Sequence, residues 1–382
     1  MYSLTQSIKR TMPNDDKQPR IDRRTLMQYG GIAGIAGIAG CTGDDGNPGN
    51  ENGNGNGDDS SGEVEYDYTL GTSGSETATH AGGVAISTVI NERSDLLNLS
   101  AQTTGGTTAN PRLVEKGDID FASQTSLSNW NCNRQAEPYN DPPIEVTLCQ
   151  TFTLFTLDLG FVKRTGAGLE DVETLEDIPE GTSMSWGPRG ISGWDTALMM
   201  FQTAGIENPT EQFDLQFIET GDLAAAMREG RIDISPVFTA NQESLISWSS
   251  QIDSTAEVDV VDWGISEDDL AQTGFPLLFA EVPESAFSND VSNSINAAGL
   301  ASYISVPTEI EDEPVYEMTR ITMENYEDVQ TYHALLQKLT PEFATDLIVQ
   351  SPDIPVHPGT EQYLREENLW QDGMTSLDDY ES

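Results

Sequence analysis

The sequence predicts an α/β protein made of two similar units with a ligand cleft between them. Short strand-like segments alternate with amphipathic helical segments from residue 66 onward, and the same alternation begins again near residues 155–165. A glycine-rich loop follows a strand in each unit. Because strand-helix alternation with short connections gives parallel strands flanked by helices, ligands are expected at the carboxyl ends of those strands.

In the first unit, hydrophobic residues recur at helical spacing at Val84, Ala85, Val89 and Ile90. The flanking segments are short, rich in β-branched and apolar residues, and separated by Gly, Ser and Thr turns. These patterns predict strands at 66–70, 96–103 and 119–123 and helices at 80–93 and 111–116.

The second unit repeats this order, and a further helix is expected nearer the C-terminus. The predicted strands are 182–186, 213–218 and 232–238, and the predicted helices are 194–204 and 222–229. The glycine-rich loop at 187–193 connects the first of these strands to the first helix. After a segment with many prolines, helical periodicity predicts one helix over 323–339.

Composition restricts the function. The 382 residues include 64 acidic and 18 basic side chains, for a formal net charge of −46, while 36% hydrophobic residues suffice for folded cores. A surface this negative repels phosphate backbones, so nucleic-acid binding is excluded. So few lysines and so many carboxylates are typical of an extreme halophile, whose high salt screens self-repulsion.

The N-terminal 40 residues are instead net basic and predict export. Arg23 and Arg24 precede a short Gly/Ala/Ile run, Gly30 to Gly40, which indicates a twin-arginine signal peptide too short to span a membrane. Ile38-Ala39-Gly40-Cys41 resembles a lipobox, which predicts lipidation of Cys41 and a lipid anchor on the extracellular face of the cell membrane.

A low-complexity segment follows the anchor. Residues 42–65 are mostly Gly, Asn, Asp and Ser, and 24 such residues form a flexible tether with a reach of roughly 25–30 Å. The predicted organisation is therefore a signal peptide at 1–40, a tether at 41–65, lobe 1 at 66–155 plus 270–382, and lobe 2 at 156–269.

Two more cysteines, Cys132 and Cys149, lie in the exported part of the chain. An extracellular disulfide and two buried free thiols are both compatible with the sequence. No CxxC motif or Cys/His ligand spacing occurs, so we expect neither a metal site nor a cofactor.

Several motifs resemble the solute receptors of the TAXI branch of TRAP transporters, in order over about residues 66–370. They are Gly71-Thr72-Ser73-Gly74, Thr103-Thr104-Gly105-Gly106-Thr107-Thr108-Ala109-Asn110, Lys116-Gly117-Asp118-Ile119-Asp120-Phe121-Ala122 with Gln124, Gly187-Pro188-Arg189-Gly190 with Ser192-Gly193, Met227-Arg228-Glu229-Gly230-Arg231-Ile232-Asp233, and Val356-His357-Pro358-Gly359 with Tyr363.

The resemblance implies a two-lobed periplasmic-binding-protein fold, type II-like, in which each lobe is a mixed, mostly parallel sheet flanked by helices. It implies a receptor without enzymatic activity that captures a small carboxylate, such as glutamate or a dicarboxylate, and delivers it to a TRAP permease for ion-gradient-driven uptake. The chain departs from the family where Ser75 to Ala81 replace a Gly and a Tyr pair, and where Gln124-Thr125-Ser126 replaces Gln-Ser-Asp.

The glycine loops are the candidate binding sites because backbone N–H groups and helix N-termini suit a carboxylate. Arg189 is the candidate for a bidentate contact, His80 for a hydrogen bond at the mouth of the cleft, and Trp194 and Phe238 for its walls. An ordinary turn, an ordinary helix start and core packing are the structural alternatives. The other candidate ligand-binding residues are Thr72, Ser73, Gly74, Thr104, Gly105, Gly106, Thr107, Gln124, Thr125, Ser192 and Gly193.

Two further functions use the same sequence features. A lipid-anchored hydrolase would use Ser73 or Ser192 as its nucleophile, but both motifs lack the final glycine of a nucleophile elbow, and only three histidines are present. A sensory receptor would use the same fold to present its ligand to a signalling protein.

Overall fold

The computed structural model describes residues 64–75, 77–188 and 192–382. The predicted signal peptide, Cys41, most of the tether and Arg189 lie outside the described residues. The strands are β1 Tyr66–Gly71, β2 Leu97–Gln102, β3 Phe121–Thr125, β4 Leu148–Arg164, β5 Ser183–Ser185, β6 Asp214–Gln216, β7 Ile234–Ala240, β8 Ser244–Leu245, β9 Val258–Val261, β10 Leu278–Val282 and β11 Ile295–Pro307.

Helices connect most of these strands. They are α1 Ala78–Arg93, α2 Asn110–Lys116, α3 Ser126–Asn133, α4 Ser192–Thr203, α5 Pro209–Gln212, α6 Leu223–Arg228, α7 Ser247–Thr255, α8 Glu267–Ala271, α9 Asp312–Glu324, α10 Tyr326–Tyr332, α11 Pro341–Asp346, α12 Pro358–Glu366 and α13 Leu377–Glu381.

The predicted α/β class with a mixed sheet flanked by helices is confirmed. The strand order is β2-β1-β3-β11-β4-β7-β5-β6, with β8, β9 and β10 attached to this path. Parallel pairs join β1 to β2 and β3, and β5 to β6 and β7. Antiparallel pairs join β3 to β11, β11 to β4, and β4 to β7.

The two halves of this sheet have the same topology. In the first half, β1 lies between β2 and β3, and β3 pairs with the long strand β11. In the second half, β5 lies between β6 and β7, and β7 pairs with the long strand β4. Equivalent loops therefore follow β1 and β5, and β2 and β6. Because the strand-helix alternation is repeated along the sequence, the two halves place equivalent groups of loops at the carboxyl ends of their strands.

The long strands β4 and β11 join the two halves. They pair antiparallel over most of their length, with Leu157 opposite Leu300 and irregular register near Tyr303. Every residue of β4 except Leu157 and Arg164 is buried, which explains why β4 reads as a nearly continuous apolar and Thr run rather than an alternating strand.

The hydrophobic core is correspondingly divided. One large cluster packs α1, α9 and the C-terminal helices on β1, β2 and β3, and contains Phe121 and Met318. A second surrounds α4 and contains Trp186 and Trp263. A third lies beneath α6 and α7 and contains Met227 and Ile252.

The predicted helix at 323–339 is wrong. The structure has α9 ending at Glu324, α10 at Tyr326–Tyr332 and a short 3-10 turn at Ala334–Leu336. Asn325 adopts φ −122°, and its Nδ2 donates to the Ile321 carbonyl at 2.8 Å, so its side chain caps α9. His333 interrupts the chain again with an extended backbone. Periodicity alone did not reveal these breaks because the apolar spacing continues across them.

Cys132 and Cys149 are free, buried thiols, so the alternative without a disulfide holds. Burial raises the pKa of Cys132 to about 12 and also raises that of Cys149. Within the described ranges, no helix combines the length and apolarity needed to cross a membrane, and no group of three potential ligand side chains could hold a metal ion.

Candidate functional site

A cavity of about 570 Å³ opens where loops from both halves of the sheet meet. This volume lies within the usual range of small-molecule sites. Nine of its lining residues carry a hydroxyl, five are glycines and none of those described carries a charge. They are Ser73, Gly74, Thr77, Ala78, Thr79, Gly105, Gly106, Thr107, Thr108, Thr125, Leu157, Ser192, Gly193, Thr220, Gly221, Phe238, Ile246, Ser247, Trp248, Gln251 and Leu300.

The loop between β1 and α1 brings three hydroxyls together at the cavity. Ser73 Oγ is hydrogen-bonded to the hydroxyls of Thr77 and Thr79. Thr77 is the N-cap of α1, and its Oγ1 accepts from the backbone N–H of His80 at 3.3 Å. The predicted Gly/Ser/Thr loop therefore both starts α1 and supplies rotatable donors and acceptors to the cavity.

Asn110 holds this loop in place from behind. Its buried Nδ2 lies 3.1 Å from the carbonyl of Gly71, 2.8 Å from that of Thr72 and 2.9 Å from that of Ser123. The hydroxyl of Thr104 lies 2.6 Å from Asn110 Oδ1 and 2.8 Å from the Thr72 carbonyl oxygen. Thr104, a predicted ligand contact, thus supports the loops and is absent from the cavity lining.

Thr72 and His80 also lie behind the lining. Thr72 is fully buried, and its hydroxyl donates to the Gln102 carbonyl at 2.8 Å. His80 Nδ1 lies 2.8 Å from the same hydroxyl oxygen. This pair joins α1 to the ends of β1 and β2, so His80 positions the loop and does not line the cavity.

The second glycine loop, between β2 and α2, is fixed by its own backbone. Gly106 has φ +114°, a conformation that glycine adopts readily, and its N–H donates to Thr104 Oγ1 at 3.2 Å. The Thr107 carbonyl accepts from Gln124 Nε2 at 2.9 Å and from Ser128 Oγ at 3.2 Å. The Gly106 amide, predicted to face a ligand, thus has its hydrogen bond within the turn, and Gln124 acts as a support.

The other half of the sheet supplies the equivalent loops. Ser192 and Gly193 start α4 after β5, and Thr220 and Gly221 lie in the loop after β6. Asp195, in the first turn of α4, lies in a narrow cleft with Thr108, Ser128 and Tyr139 of the first half. Burial and the neighbouring Glu137 raise the pKa of Asp195 to about 6.

Five large apolar side chains of the lining are here called the apolar wall: Leu157, Phe238, Ile246, Trp248 and Leu300. Leu157 and Leu300 are cross-strand neighbours, and the backbone N–H of Ile246 donates to the Phe238 carbonyl at 3.0 Å. The rings of Phe238 and Trp248 meet edge-on with centroids 5.9 Å apart. All five belong to or pack on the second core cluster.

Four helices of eight or more residues begin at the cavity: α1, α3, α4 and α7. The first turns of α1, α3 and α7 contain no acidic residue, and that of α4 contains only Asp195. Two helices that begin away from the cavity have acids in their first turns, since α8 starts with Glu267, Asp268 and Asp269 and α9 with Asp312 and Glu313. Acids therefore complement the helix dipoles at those sites but are scarce at the cavity.

The two serines that the hydrolase alternative would use, Ser73 and Ser192, have no histidine hydrogen-bonded to them among the described residues. His80 is bonded to Thr72, His333 Nδ1 accepts from the Leu335 N–H, and His357 Nδ1 accepts from the Gly359 N–H. Ser73 Oγ is bonded only to threonine hydroxyls. The arrangement needed for a Ser–His hydrolase is thus not formed in this part of the chain.

Of the fifteen predicted ligand-binding residues, nine line the cavity: Ser73, Gly74, Gly105, Gly106, Thr107, Thr125, Ser192, Gly193 and Phe238. Thr72, His80, Thr104 and Gln124 lie behind it, and Arg189 lies outside the described residues. Trp194 packs between Trp186 and Phe217, with ring centroids 4.9 Å and 5.1 Å away, and is not part of the lining.

Sequence reasoning missed the lining residues of α7 and of the loop after β6. Thr220 and Gly221 could have been found, because their loop is the internal equivalent of the Gly105–Gly106 loop. Ile246, Ser247 and Trp248 gave no such signal, since the sequence of α7 lacks a clear helical pattern.

Comparisons with known proteins identify one family and several solved structures of low sequence identity. The NMT1-like family matches residues 70–367. Among solved structures, the ligand-binding component of an ABC-type import system from Staphylococcus aureus is 10% identical, with TM-score 0.43 and coverage of 83% of this chain and 98% of that one. The periplasmic aliphatic sulphonate-binding protein SsuA from Escherichia coli is 13% identical, with TM-score 0.44 and coverage of 82% and 91%. Among curated proteins, none matches this chain.

Proposed function

Because this chain belongs to the NMT1-like family, we propose that it is an extracytoplasmic receptor that binds a small organic acid in its cavity and delivers it to a membrane permease. The binding is non-covalent. The observation that carries the proposal is the meeting of four helix N-termini, three of them without acids in the first turn, at a cavity whose described lining has no charged side chain.

Electrostatics explains why this arrangement favours an anion. Each helix N-terminus contributes about half a positive charge through its unpaired N–H groups. Lining hydroxyls that are not bonded within the protein, such as that of Ser247, can donate hydrogen bonds to carboxylate oxygens. A chain of net charge −46 can in this way bind an anion without placing lysines in the site.

Ser247, the first residue of α7, allows a direct test. It is exposed at the cavity and makes no hydrogen bond through its side chain within the described structure. Ser247→Asp adds a negative charge where a helix tolerates one well, so the fold should remain while repulsion weakens anion binding at least about 10-fold. Ser247→Asn adds similar bulk without charge and should change the affinity less than about 3-fold.

The measurement uses the solute that copurifies with the protein. Mass spectrometry after denaturation identifies it, and calorimetric titration in molar KCl compares its affinity for the wild type and both variants. A neutral or cationic solute, or equal affinities of the Asp and Asn variants, would refute the proposal.

The permease that we propose as the membrane partner of this receptor is a TRAP permease of the TAXI type. The support is the set of motifs quoted above, from Gly71-Thr72-Ser73-Gly74 to the segment at His357. Closure of two lobes about the long strands β4 and β11 would couple the bound solute to a shape that the permease recognises. Uptake by cells that express the receptor and permease together, but not by cells with either alone, is the expected result.

The cellular location that we propose is the extracellular face of the cell membrane, with Cys41 lipidated after export by the twin-arginine route. The support is the order of Arg23-Arg24, the apolar run and Cys41. Cys41→Ser should release the protein into the medium with its affinity for the solute unchanged. Retention of the variant on membranes would contradict lipid anchoring.

A further inference from the structure

The apolar wall has no role in binding a carboxylate group. Its five side chains come from β4, β11, β7 and the start of α7, and all of them belong to or pack on the second core cluster. The hydroxyls of the lining come instead mainly from the loops at the helix starts. The cavity therefore combines a polar part suited to one anionic group with an apolar part that offers it no hydrogen bond.

We infer that the solute is a monoanionic acid with a branched or aromatic apolar body, and that Trp248 is the residue that selects it. This inference deepens the proposed function and rests on it. The anionic group meets the helix N-termini and hydroxyls, and the apolar body lies against the apolar wall. Burial of the apolar body against this wall contributes binding free energy in proportion to the apolar area removed from water.

A second carboxylate does not fit this arrangement. Against the apolar wall it would lose its hydration without gaining a charge partner or a hydrogen bond. None of the described lining residues is Lys or Arg. The expected preference is therefore opposite to that for glutamate or a dicarboxylate.

Trp248 is suited to a selecting role because its side chain is half-buried and in contact with Phe238, so its ring is held in one position. A large, rigid aromatic surface contributes binding free energy at low cost in side-chain entropy. Leu157 and Leu300 lie in the strands that join the halves of the sheet, where substitution would disturb the fold. Trp248 can be shortened with less risk to the core.

The test compares acids that differ only at one end. In 4-methylpentanoate and succinate, an isopropyl group and a carboxylate of the same branched shape occupy the same position. The same holds for 5-methylhexanoate and glutarate. Each acid is titrated calorimetrically into the full-length mature protein in molar KCl, after removal of copurified solute. We expect each branched monocarboxylate to bind at least about 10-fold more tightly than its dicarboxylate counterpart.

Variants assign the preference to Trp248. Trp248→Ala should weaken binding of the branched acids about 10-fold or more and leave the dicarboxylates nearly unchanged, whereas Trp248→Phe should keep most of the preference. Trp370→Ala is the matched control, because Trp370 is also half-buried but packs on the first core cluster and on Arg365, away from the cavity. It should bind all four acids as the wild type does.

The outcomes separate this inference from the proposed function. Equal or tighter binding of the dicarboxylates would overturn the inference and leave the organic-acid receptor intact. Equal losses for all acids in Trp248→Ala, with an unchanged melting temperature, would remove Trp248 from the selecting role. If none of the acids binds and the copurified solute is not an anion, both the inference and the proposed function fail.

Discussion

The side-chain amide of Asn110 donates to the Thr72 carbonyl at a distance of 2.8 Å, and this bond connects two of the loops at the cavity. The same nitrogen lies within hydrogen-bond distance of the Gly71 and Ser123 carbonyls. A single buried side chain thus fixes the ends of β1 and β3, and its Oδ1 also contacts the Thr104 hydroxyl. Neither Asn110 nor Thr104 touches the cavity, yet both determine its shape.

Asn110→Ala should destabilise the protein by roughly 3 kcal/mol, because it leaves buried carbonyl groups without donors. Thermal and denaturant unfolding in molar salt measure the change. Asn98→Ala is the matched control, since it removes one hydrogen bond to Asp67 at the surface and should cost less than about 1 kcal/mol. Equal losses in the two variants would contradict the supporting role of Asn110.

Asp158, buried in β4, should make stability depend on pH. Its Oδ2 accepts from the Gln242 N–H at 2.7 Å, whereas its buried Oδ1 has no partner in the described structure. Burial raises its pKa from 3.8 to about 6. Because the folded state binds this proton more tightly than the unfolded state, its contribution is fully present below about pH 4 and is lost as the pH rises through 6.

The size of this loss is on the order of 3 kcal/mol, from a shift of about two pKa units. Asp158→Asn keeps an acceptor for Gln242 and removes the titration. The free energies of unfolding of the two proteins should therefore draw together near pH 4, and the variant should gain relative stability up to pH 7. Parallel pH profiles would refute the assignment.

The salt requirement follows from charge alone. With 64 acidic and 18 basic residues, most carboxylates have no possible cationic partner, so their repulsion must be screened by ions. Circular dichroism during dilution from molar to millimolar KCl should show loss of structure and a falling melting temperature. An uncharged osmolyte at equal osmolality serves as the control and should not restore the fold as KCl does. An unchanged melting temperature would contradict halophilic adaptation.

Much of the architecture could be predicted because local patterns determine it. The apolar spacing of α1 and the glycine loops after β1, β2 and β5 are visible in the sequence, and nine of the predicted contacts line the cavity. The pairing of β4 with β11 could not be read from the sequence, since contacts between residues about 145 positions apart leave no periodic signal. The Leu157–Leu300 part of the apolar wall depends on that pairing and was missed with it, whereas Phe238 was predicted as a wall of the cleft.

The distinction between lining and supporting residues was also beyond the sequence. Thr104 and Thr107 stand in the same Thr/Gly loop, yet only Thr107 lines the cavity, while the Thr104 hydroxyl lies against Asn110 and Thr72. Residue type and spacing cannot separate these roles. The direction of each side chain depends on partners that come from other strands.

Asp195 should couple binding of the solute to proton uptake. It lies in the first turn of α4, whose first residues line the cavity, and burial with the neighbouring Glu137 raises its pKa to about 6.

An anion bound at the start of α4 would disfavour the ionised form further, so a raised pKa in the complex means that a proton is taken up on binding. The affinity is then highest below about pH 6 and falls as the pH rises through that value. Calorimetry of the copurified solute in molar KCl, in buffers of different ionisation enthalpy, measures both the affinity and the number of protons bound.

Asp195→Asn should remove this pH dependence and bind the solute at pH 8 about as tightly as the wild type does at pH 5. Glu207→Gln, on the exposed surface after α4, changes the net charge equally and should leave the pH dependence in place. Because both variants lose one negative charge, a pH dependence that disappears in both would assign the effect to the overall charge and not to Asp195.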